Sequence, residues 1–442
     1  PTFKDHLNEK SISFKCLGYL PYRRIIKVVL GKVKKIAGIL KRSIVVYNRS
    51  LKSRFLLKNN ITSLKDCYVI KTFMYDHSFN KEGQYVDQFF GPLPEYLKDK
   101  KDVVFFVNVL GNFKNCIEKI KKDKSNRFIT IDCLISLWDI LRNVLSIMFY
   151  KVNVSDDVKI FDCNVSKIIK YELSRTLNDI QIYQALHYEA TKELFKKIAC
   201  KELLLTYESN AWEKAMIQAI REESPQAKVI GYQHTIVTLG TMNLFNSSID
   251  KDIIPKPDRI FTVGEVTERI LRHYGELNGE MIEPSCALRF KHIFSSPKSA
   301  RKKNGTILLA LEGLPSIVQL VNYCFAELKD NEEYQVLIRT HPVLPIDKLK
   351  PELHHDIAKM NNVKVSKGTS LVEDIDNADV VMYWGSTVCL EALWMGKPVV
   401  HFDGGMMASH DPLYELNDYK WSVTKNDSLT SCINEIRRLI DE

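Results

Sequence analysis

Short, almost wholly apolar runs punctuate this chain: VVFFVNVL at 103–110, TILLAL at 306–311, ADVVMY at 378–383 and PVVHF at 398–402. A strand with no polar face must be buried on both sides, the condition of a parallel sheet covered by helices. Further strands are expected at 66–71, 203–207, 228–232, 259–263, 334–339 and 363–366. Between them, apolar residues recur three and four apart, which predicts helices at 180–199, 211–222, 316–328, 349–360, 387–395 and 429–440. The run 134–150 carries Asp139 and Arg142 and reads as a buried helix rather than a membrane span. Strand alternating with helix over 442 residues predicts an α/β chain with two doubly wound, Rossmann-like domains in tandem. In such folds ligands bind at the carboxyl ends of the strands, here in a central cleft faced by both domains.

The polar segment SSPKSARKKNG at 295–305 marks the expected hand-over. The domain plan is a basic amphipathic region at 1–65 belonging to the first domain, the Rossmann-like body of that domain at 66–295, a second Rossmann-like domain at 296–425 and a terminal helix at 426–442.

The net charge of +9 is concentrated at one end: residues 10–65 hold 15 Lys or Arg and no acid, and the remainder is net acidic. Within 22–47 the basic residues alternate with Ile25, Ile26, Val29, Val33, Ile36, Ile39 and Leu40, the spacing of a helix with one apolar and one cationic face. Such a helix either lies on an anionic membrane, each basic residue contributing about 1 kcal/mol, or packs on the core with its cationic face in water. Nucleic acid is not an expected partner, because no aromatic stacking motif accompanies the charge. Lys4, Asp5, His6 and Glu9 give no secretory signal, and ten cysteines occur without a CxxC pair. The expected location is cytoplasmic, peripheral on the inner face of the membrane.

Three segments end strands with polar groups. In ADVVMYWGSTVCLEALWMGKPVV (378–400), Gly385 turns the backbone and Ser386, with Thr387 beside it, is placed to cap a helix whose free N–H groups favour phosphate. In VLIRTHP (336–342), Arg339, Thr340 and His341 precede Pro342, a good set for phosphate and ribose. In ALEGLP (310–315), Glu312 and Gly313 form the turn, and Glu312 is a candidate for ribose or base.

A His-Pro pair after a strand, followed some 45 residues on by a serine pair or Ser-Thr opening a helix, resembles bacterial GT-B glycosyltransferases that use CMP-activated nonulosonic acids: capsule-type Kdo, pseudaminic acid and sialic acid transferases. YDHSFNKEGQYVDQFFGPL (75–93), YESNAWEK (207–214), GYQHT (231–235) and PDRI (257–260) are similar to segments of such surface-carbohydrate transferases. The resemblance implies that His341, Pro342, Ser386 and Thr387 grip CMP, with Arg339 and Glu312 as further contacts. Thr387 departs from the second serine but keeps the hydroxyl. It also implies a CMP-sugar donor carrying Kdo, pseudaminic, legionaminic or sialic acid, a glycan or lipid-linked glycan acceptor, and capsule or lipopolysaccharide as product.

Loss of CMP from such a sugar builds negative charge on the phosphate, which donors at fixed positions stabilise. A monophosphate leaving group needs no metal to carry its charge, and no His/Cys cluster at metal-ligand spacing is visible in the sequence, so no metal cofactor is expected. A carboxylate must deprotonate the acceptor or attack the anomeric carbon; Glu208, Asp76 and Asp87 are the candidates, with His234 as orienting group, sugar-carboxylate ligand or acid. The competing readings are a CDP-polyol phosphotransferase of teichoic-acid type, a UDP-sugar GT-B transferase and a catalytically silent glycan-binding scaffold.

Overall fold

The computed structural model describes residues 21–60, 65–160, 162–176, 179–246, 253–275, 277, 281–290, 304–329, 331–406 and 408–441. Residues 10–20 and 61–64 of the basic region and 295–303 of the hand-over segment lie outside the described residues.

Strands β1 (Lys65–Met74), β2 (Val103–Val109), β3 (Arg127–Thr130), β6 (Ala199–Thr206), β7 (Lys228–Gln233), β8 (Arg259–Thr262) and β9 (Ile282–Pro284) form a seven-stranded sheet, with the hairpin β4 (Lys159–Ile160) and β5 (Cys163–Asn164) outside it. Its order is β3-β2-β1-β6-β7-β8-β9, so the winding reverses between β1 and β6. Strands β10 (Thr306–Ala310), β11 (Gln335–Arg339), β12 (Val363–Val365), β13 (Val380–Tyr383), β14 (Val399–Asp403) and β15 (Lys420–Thr424) form a second sheet in the order β12-β11-β10-β13-β14-β15. All five of its pairings are parallel, and its winding reverses between β10 and β13. Both orders are the doubly wound Rossmann arrangement, so the α/β, two-Rossmann class of GT-B type expected from the sequence is the class the chain has.

Alternation along the second sheet explains why its strands read as continuous apolar runs. Ile307 and Leu309 of β10 pack with Val380 and Met382 of β13 under the helices Val318–Leu328 and Leu429–Asp441. Leu308, Ala310, Val381 and Tyr383 face the other way, under Ile375 of the helix Leu371–Asn377 and under Cys389 and Ala392 of Val388–Trp394. Each fully buried aliphatic side chain contributes roughly 1.5–3 kcal/mol by leaving water.

By packing, the chain forms two compact units. The first holds Pro1–Gln88, Pro92–Gly231 and Ile254–Asp258; the second holds Phe89–Gly91, Tyr232–Ile253 and Arg259–Glu442.

Two expected helices differ from observation. The continuous helix at 349–360 is replaced by a short helix Ile346–Leu349 and 3-10 turns at Lys350–Glu352 and Ile357–Lys359. Pro351 cannot donate to a helical ladder, and the Asp356 side chain starts a new turn by accepting the Ala358 N–H (3.0 Å). The expected buried helix at 134–150 is the helix Leu137–Phe149, begun by a reciprocal Ser136–Asp139 capping box. It buries only Ile140 and Val144; Trp138 is 69% and Phe149 74% exposed, with Leu141, Leu145, Met148 and Tyr150 also in water. The apolar content exceeds what one core-facing stripe can hide.

The basic segment forms the helix Pro21–Ser53. Ile39, Val46, Ser50 and Ser53 are buried, and Ser50 Oγ donates to the Ile135 carbonyl (2.7 Å), while Ile36, Leu40, Ile44 and Leu51 remain exposed. Core packing and an outward apolar stripe thus coexist on one helix. No helix among the described residues is long and apolar enough to cross a membrane.

Candidate functional site

In a doubly wound sheet the crevice opens where the winding reverses, because the loops leaving the two central strands diverge there. In the second sheet that point lies at the ends of β10 and β13, hence at Glu312-Gly313 and Gly385-Ser386. The two turns touch. A Cβ placed on Gly385 would lie 2.2 Å from Glu312 Oε2 and 3.3 Å from His410 Cβ. Only the bare glycine admits the carboxylate, whose burial pushes its pKa up.

Gly313 receives His341 in the same manner: an added Cβ would meet the imidazole Nδ1 at 3.0 Å. His341 Nδ1 accepts the Val343 N–H (3.3 Å), which leaves Nε2 as the N–H donor of a neutral ring. Desolvation, with the positive Arg289 second, lowers the imidazole pKa. Thr340 is half-buried and Pro342 exposed in the turn that the Leu344 N–H closes onto the His341 carbonyl (2.9 Å).

Ser386 lies one position before its expected cap. Thr387 is the N-cap, without a capping side-chain bond, and the helix Val388–Trp394 has seven residues. Ser386 Oγ nevertheless accepts the Val388 N–H at 3.4 Å. The geometry favours hydroxyl contacts over the helix end as the polar contribution of this turn.

Arg339 is committed elsewhere. Its Nη1 pairs with buried Asp374 and donates to the Thr369 carbonyl (3.2 Å), while Asp374 also accepts from Ser366 Oγ and Thr369 Oγ1, both at 2.6 Å. That network ties the end of β11 to the loop after β12 and to the helix Leu371–Asn377, a strut for the turn that carries His341.

His410, which sequence reasoning did not single out, packs beside the Gly385 turn. Its ring lies where a Cβ on Gly240 would be, 2.5 Å from Cε1, and the Gly240 N–H donates to the Ser409 carbonyl (2.9 Å). Next to it, Asp411 accepts from Tyr383 Oη (2.7 Å) and pairs with Lys420, fastening the loop after β14 to the end of β13. The available signal was a histidine following a buried strand and a Gly404-Gly405 turn.

In the first unit the reversal lies at the ends of β1 and β6, hence at Asp76 and Glu208. Asp76 serves as a cap: Oδ2 accepts the Asn112 N–H (2.8 Å), and its carbonyl accepts from Lys119 Nζ (2.7 Å). Asp87 is buried and accepts from Tyr85 Oη (2.9 Å). Both carboxylates therefore have structural work.

Glu208 is half-buried, and its Oε2 accepts from Asn210 Nδ2 (3.2 Å). Its loop is shaped by Ser209, left-handed at φ 59°, and by buried Glu213, which accepts the N–H groups of Glu208 (3.0 Å) and Asn210 (2.8 Å). Burial pushes the Glu213 pKa up to about 8 and that of neighbouring Lys71 down to about 7. A left-handed non-glycine residue costs about 1–2 kcal/mol, and such strain clusters at functional loops. His234, in the second unit, is buried with its ring edge-on to Phe89 at 5.0 Å.

Two grooves on the first unit hold none of these groups. One of about 490 Å³ is lined by Ile147, Tyr150, Leu173 and Ala211 among others, and one of about 320 Å³ by Asp139, Arg142, Tyr188 and Glu189 among others.

No protein-family model matches the chain, and no curated protein sequence does. Among solved structures it is similar to a UDP-GlcNAc 2-epimerase from Neisseria meningitidis bound to UDP-GlcNAc, with 12% identity, a TM-score of 0.45, and coverage of 86% of this chain and 92% of that one. A glycosyltransferase from Rickettsia africae has 12% identity over 85% of this chain and 89% of that one, with a TM-score of 0.43. The glycotransferase of kitacinnamycin has 10% identity over 85% and 91%, with a TM-score of 0.47.

Proposed function

We propose that this chain is a glycosyltransferase that moves a nonulosonic acid (Kdo, pseudaminic, legionaminic or sialic acid) from its CMP form to a growing surface glycan. The observation that carries the reading is the convergence of Glu312 on Gly385 and of His341 on Gly313 at the strand ends where the second sheet reverses. A carboxylate for ribose hydroxyls, an imidazole N–H for phosphate and the hydroxyls of Ser386 and Thr387 are the chemistry a nucleoside monophosphate asks for. Cleavage of the anomeric C–O bond leaves the electron pair on the CMP phosphate, where His341 Nε2–H and these hydroxyls stabilise it. No metal is invoked. Glu208, which follows β6 where the first sheet reverses, is the carboxylate we assign to the acceptor or the anomeric carbon.

The acceptor side of the proposal includes docking on the inner face of an anionic membrane through residues 10–65. Its support is a helix that keeps an exposed apolar stripe beside its basic residues.

Isothermal titration with CMP, CDP and UDP tests the reading. CMP should bind tightest; tighter CDP binding would favour a polyol-phosphate transferase, and tighter UDP binding a UDP-sugar enzyme. A donor screen with CMP-Kdo, CMP-sialic, CMP-pseudaminic and CMP-legionaminic acids, read by NMR of the product, then identifies the sugar. If His341→Ala leaves the biological activity intact, the chain is a silent scaffold.

A further inference from the structure

One arginine in the second unit stands ready for an anion. After β9 the chain is pinned at 286–288 by Tyr232, whose hydroxyl donates to the Cys286 carbonyl and accepts the Leu288 N–H, both at 2.9 Å. Gly91, left-handed at φ 51°, closes on the same stretch; an added Cβ would sit 2.7 Å from the Leu288 carbonyl oxygen. Arg289 follows in the 3-10 turn Leu288–Phe290.

Its guanidinium carbon lies 5.7 Å from the Phe89 ring centroid and 5.9 Å from that of Phe290. Phe89 in turn contacts His234 edge-on. No carboxylate forms an ion pair with Arg289 among the described residues, and the field of Arg289 is felt at His341. An arginine whose backbone is fixed, which lies against aromatic rings and whose charge meets no carboxylate among the described residues is a preorganised receptor for anionic oxygens.

We propose that Arg289, carried on Phe89 and backed by His234, receives the carboxylate of an acidic sugar donor and so selects acidic over neutral sugars. This rests on the nucleotide-sugar reading above. The planar fork of a guanidinium matches a carboxylate with two parallel bonds, and the nucleotide phosphate already has His341, Ser386 and Thr387. A phosphate would offer the same anionic oxygens, so the test must tell the two sources apart.

The test is calorimetric binding of CMP and of CMP-Kdo, CMP-sialic, CMP-pseudaminic and CMP-legionaminic acids to the full chain and to R289A and R289K. At least one CMP-sugar should bind the unaltered chain more tightly than CMP. R289A should then weaken that sugar nucleotide about 10–100-fold, the loss of a charge-assisted pair, and change CMP by less than about twofold. R289K should fall between, because lysine keeps the charge and loses the fork. Equal weakening of CMP and CMP-sugar would make Arg289 a phosphate ligand and overturn the proposal, as would no weakening of either. If CMP binds but no CMP-sugar binds more tightly, the carboxylate subsite is refuted while the nucleotide site stands. If CMP itself does not bind, the underlying reading falls first. Thermal unfolding of both variants should match the unaltered chain, since Arg289 is exposed.

Discussion

Replacing Gly385 by alanine places a methyl group 2.2 Å from Glu312 Oε2. A comfortable contact needs roughly 3.5 Å, so the carboxylate must retreat by about 1 Å or rotate out of the turn. The obstacle is the far end of a flexible side chain, so folding should lose only about 1 kcal/mol, the low end of overpacking costs. Unfolding should then shift by roughly 2–4 °C. Binding should suffer more. If Glu312 holds ribose hydroxyls, its displacement removes hydrogen bonds to a charged group worth about 1.5–3 kcal/mol, a weakening of CMP by roughly 10–100-fold.

The decisive arrangement is a double-mutant cycle by titration calorimetry, with Glu312→Ala as the second arm. Glu312→Ala alone should weaken CMP by a similar factor, and adding Gly385→Ala to it should do almost nothing further. If Gly385→Ala binds CMP as well as the unaltered chain does, Glu312 is not a nucleotide ligand. If it is equally harmful without Glu312, the glycine is needed for close approach of the backbone to the ligand, and the steric argument is wrong.

Other outcomes follow from the same structure. His187 is fully buried, and burial lowers its pKa to about 3 from the ordinary 6.5. Between those values the unfolded chain binds a proton that the folded chain refuses, so stability is lost as pH falls through that window, by about 2 kcal/mol at pH 5; His187→Gln should flatten the acid limb of an unfolding series, and an unchanged limb would refute the assignment. Ser209→Gly should raise stability by about 0.5–1 kcal/mol in chemical denaturation, because glycine takes a positive φ without the side-chain penalty; a loss would mean that the serine side chain makes a stronger bond than the strain costs. Glu208→Gln should abolish transfer while leaving CMP affinity within about twofold, and retained turnover would remove Glu208 from the mechanism. Changing Lys34, Lys41 and Lys52 to Gln should reduce co-sedimentation with anionic vesicles, by about 1 kcal/mol per neutralised charge. Deleting residues 1–60 is a poorer test, since it would strip Ile39, Val46 and Leu56 from the core.

The alternation of strand and helix was legible because sheets buried on both faces leave no room for polar residues, and the apolar runs at 306–311 and 378–383 are such strands. Their order in the sheet, and with it the reversal beside Glu312 and Gly385, is seen only in the structure. What sequence could not show was which polar side chains were already in use. Arg339 has the look of a phosphate ligand, and only the structure sets Asp374, 35 residues on, beside it. Nor could sequence show that Asp76 accepts the Asn112 N–H and Asp87 the Tyr85 hydroxyl. Arg289 and His410 escaped notice for the opposite reason: no local motif marks them, and their placement depends on Gly91, Tyr232 and Gly240, remote in sequence. The helix at 137–149 was misjudged because periodicity counts apolar residues without saying how many faces find a partner.

The loop at 207–210 carries one more consequence. The amides of Glu208 and Asn210 end on the buried carboxylate of Glu213, with left-handed Ser209 between them. Releasing either amide would leave the buried Glu213 carboxyl short of a donor, so the loop has little freedom to open piecemeal. Measured by amide hydrogen exchange, these two positions should therefore be protected like the core strand β6 that precedes them, not like a surface turn. A segment that looks like a connector would belong, in its opening energetics, to the most stable cooperative unit of the molecule.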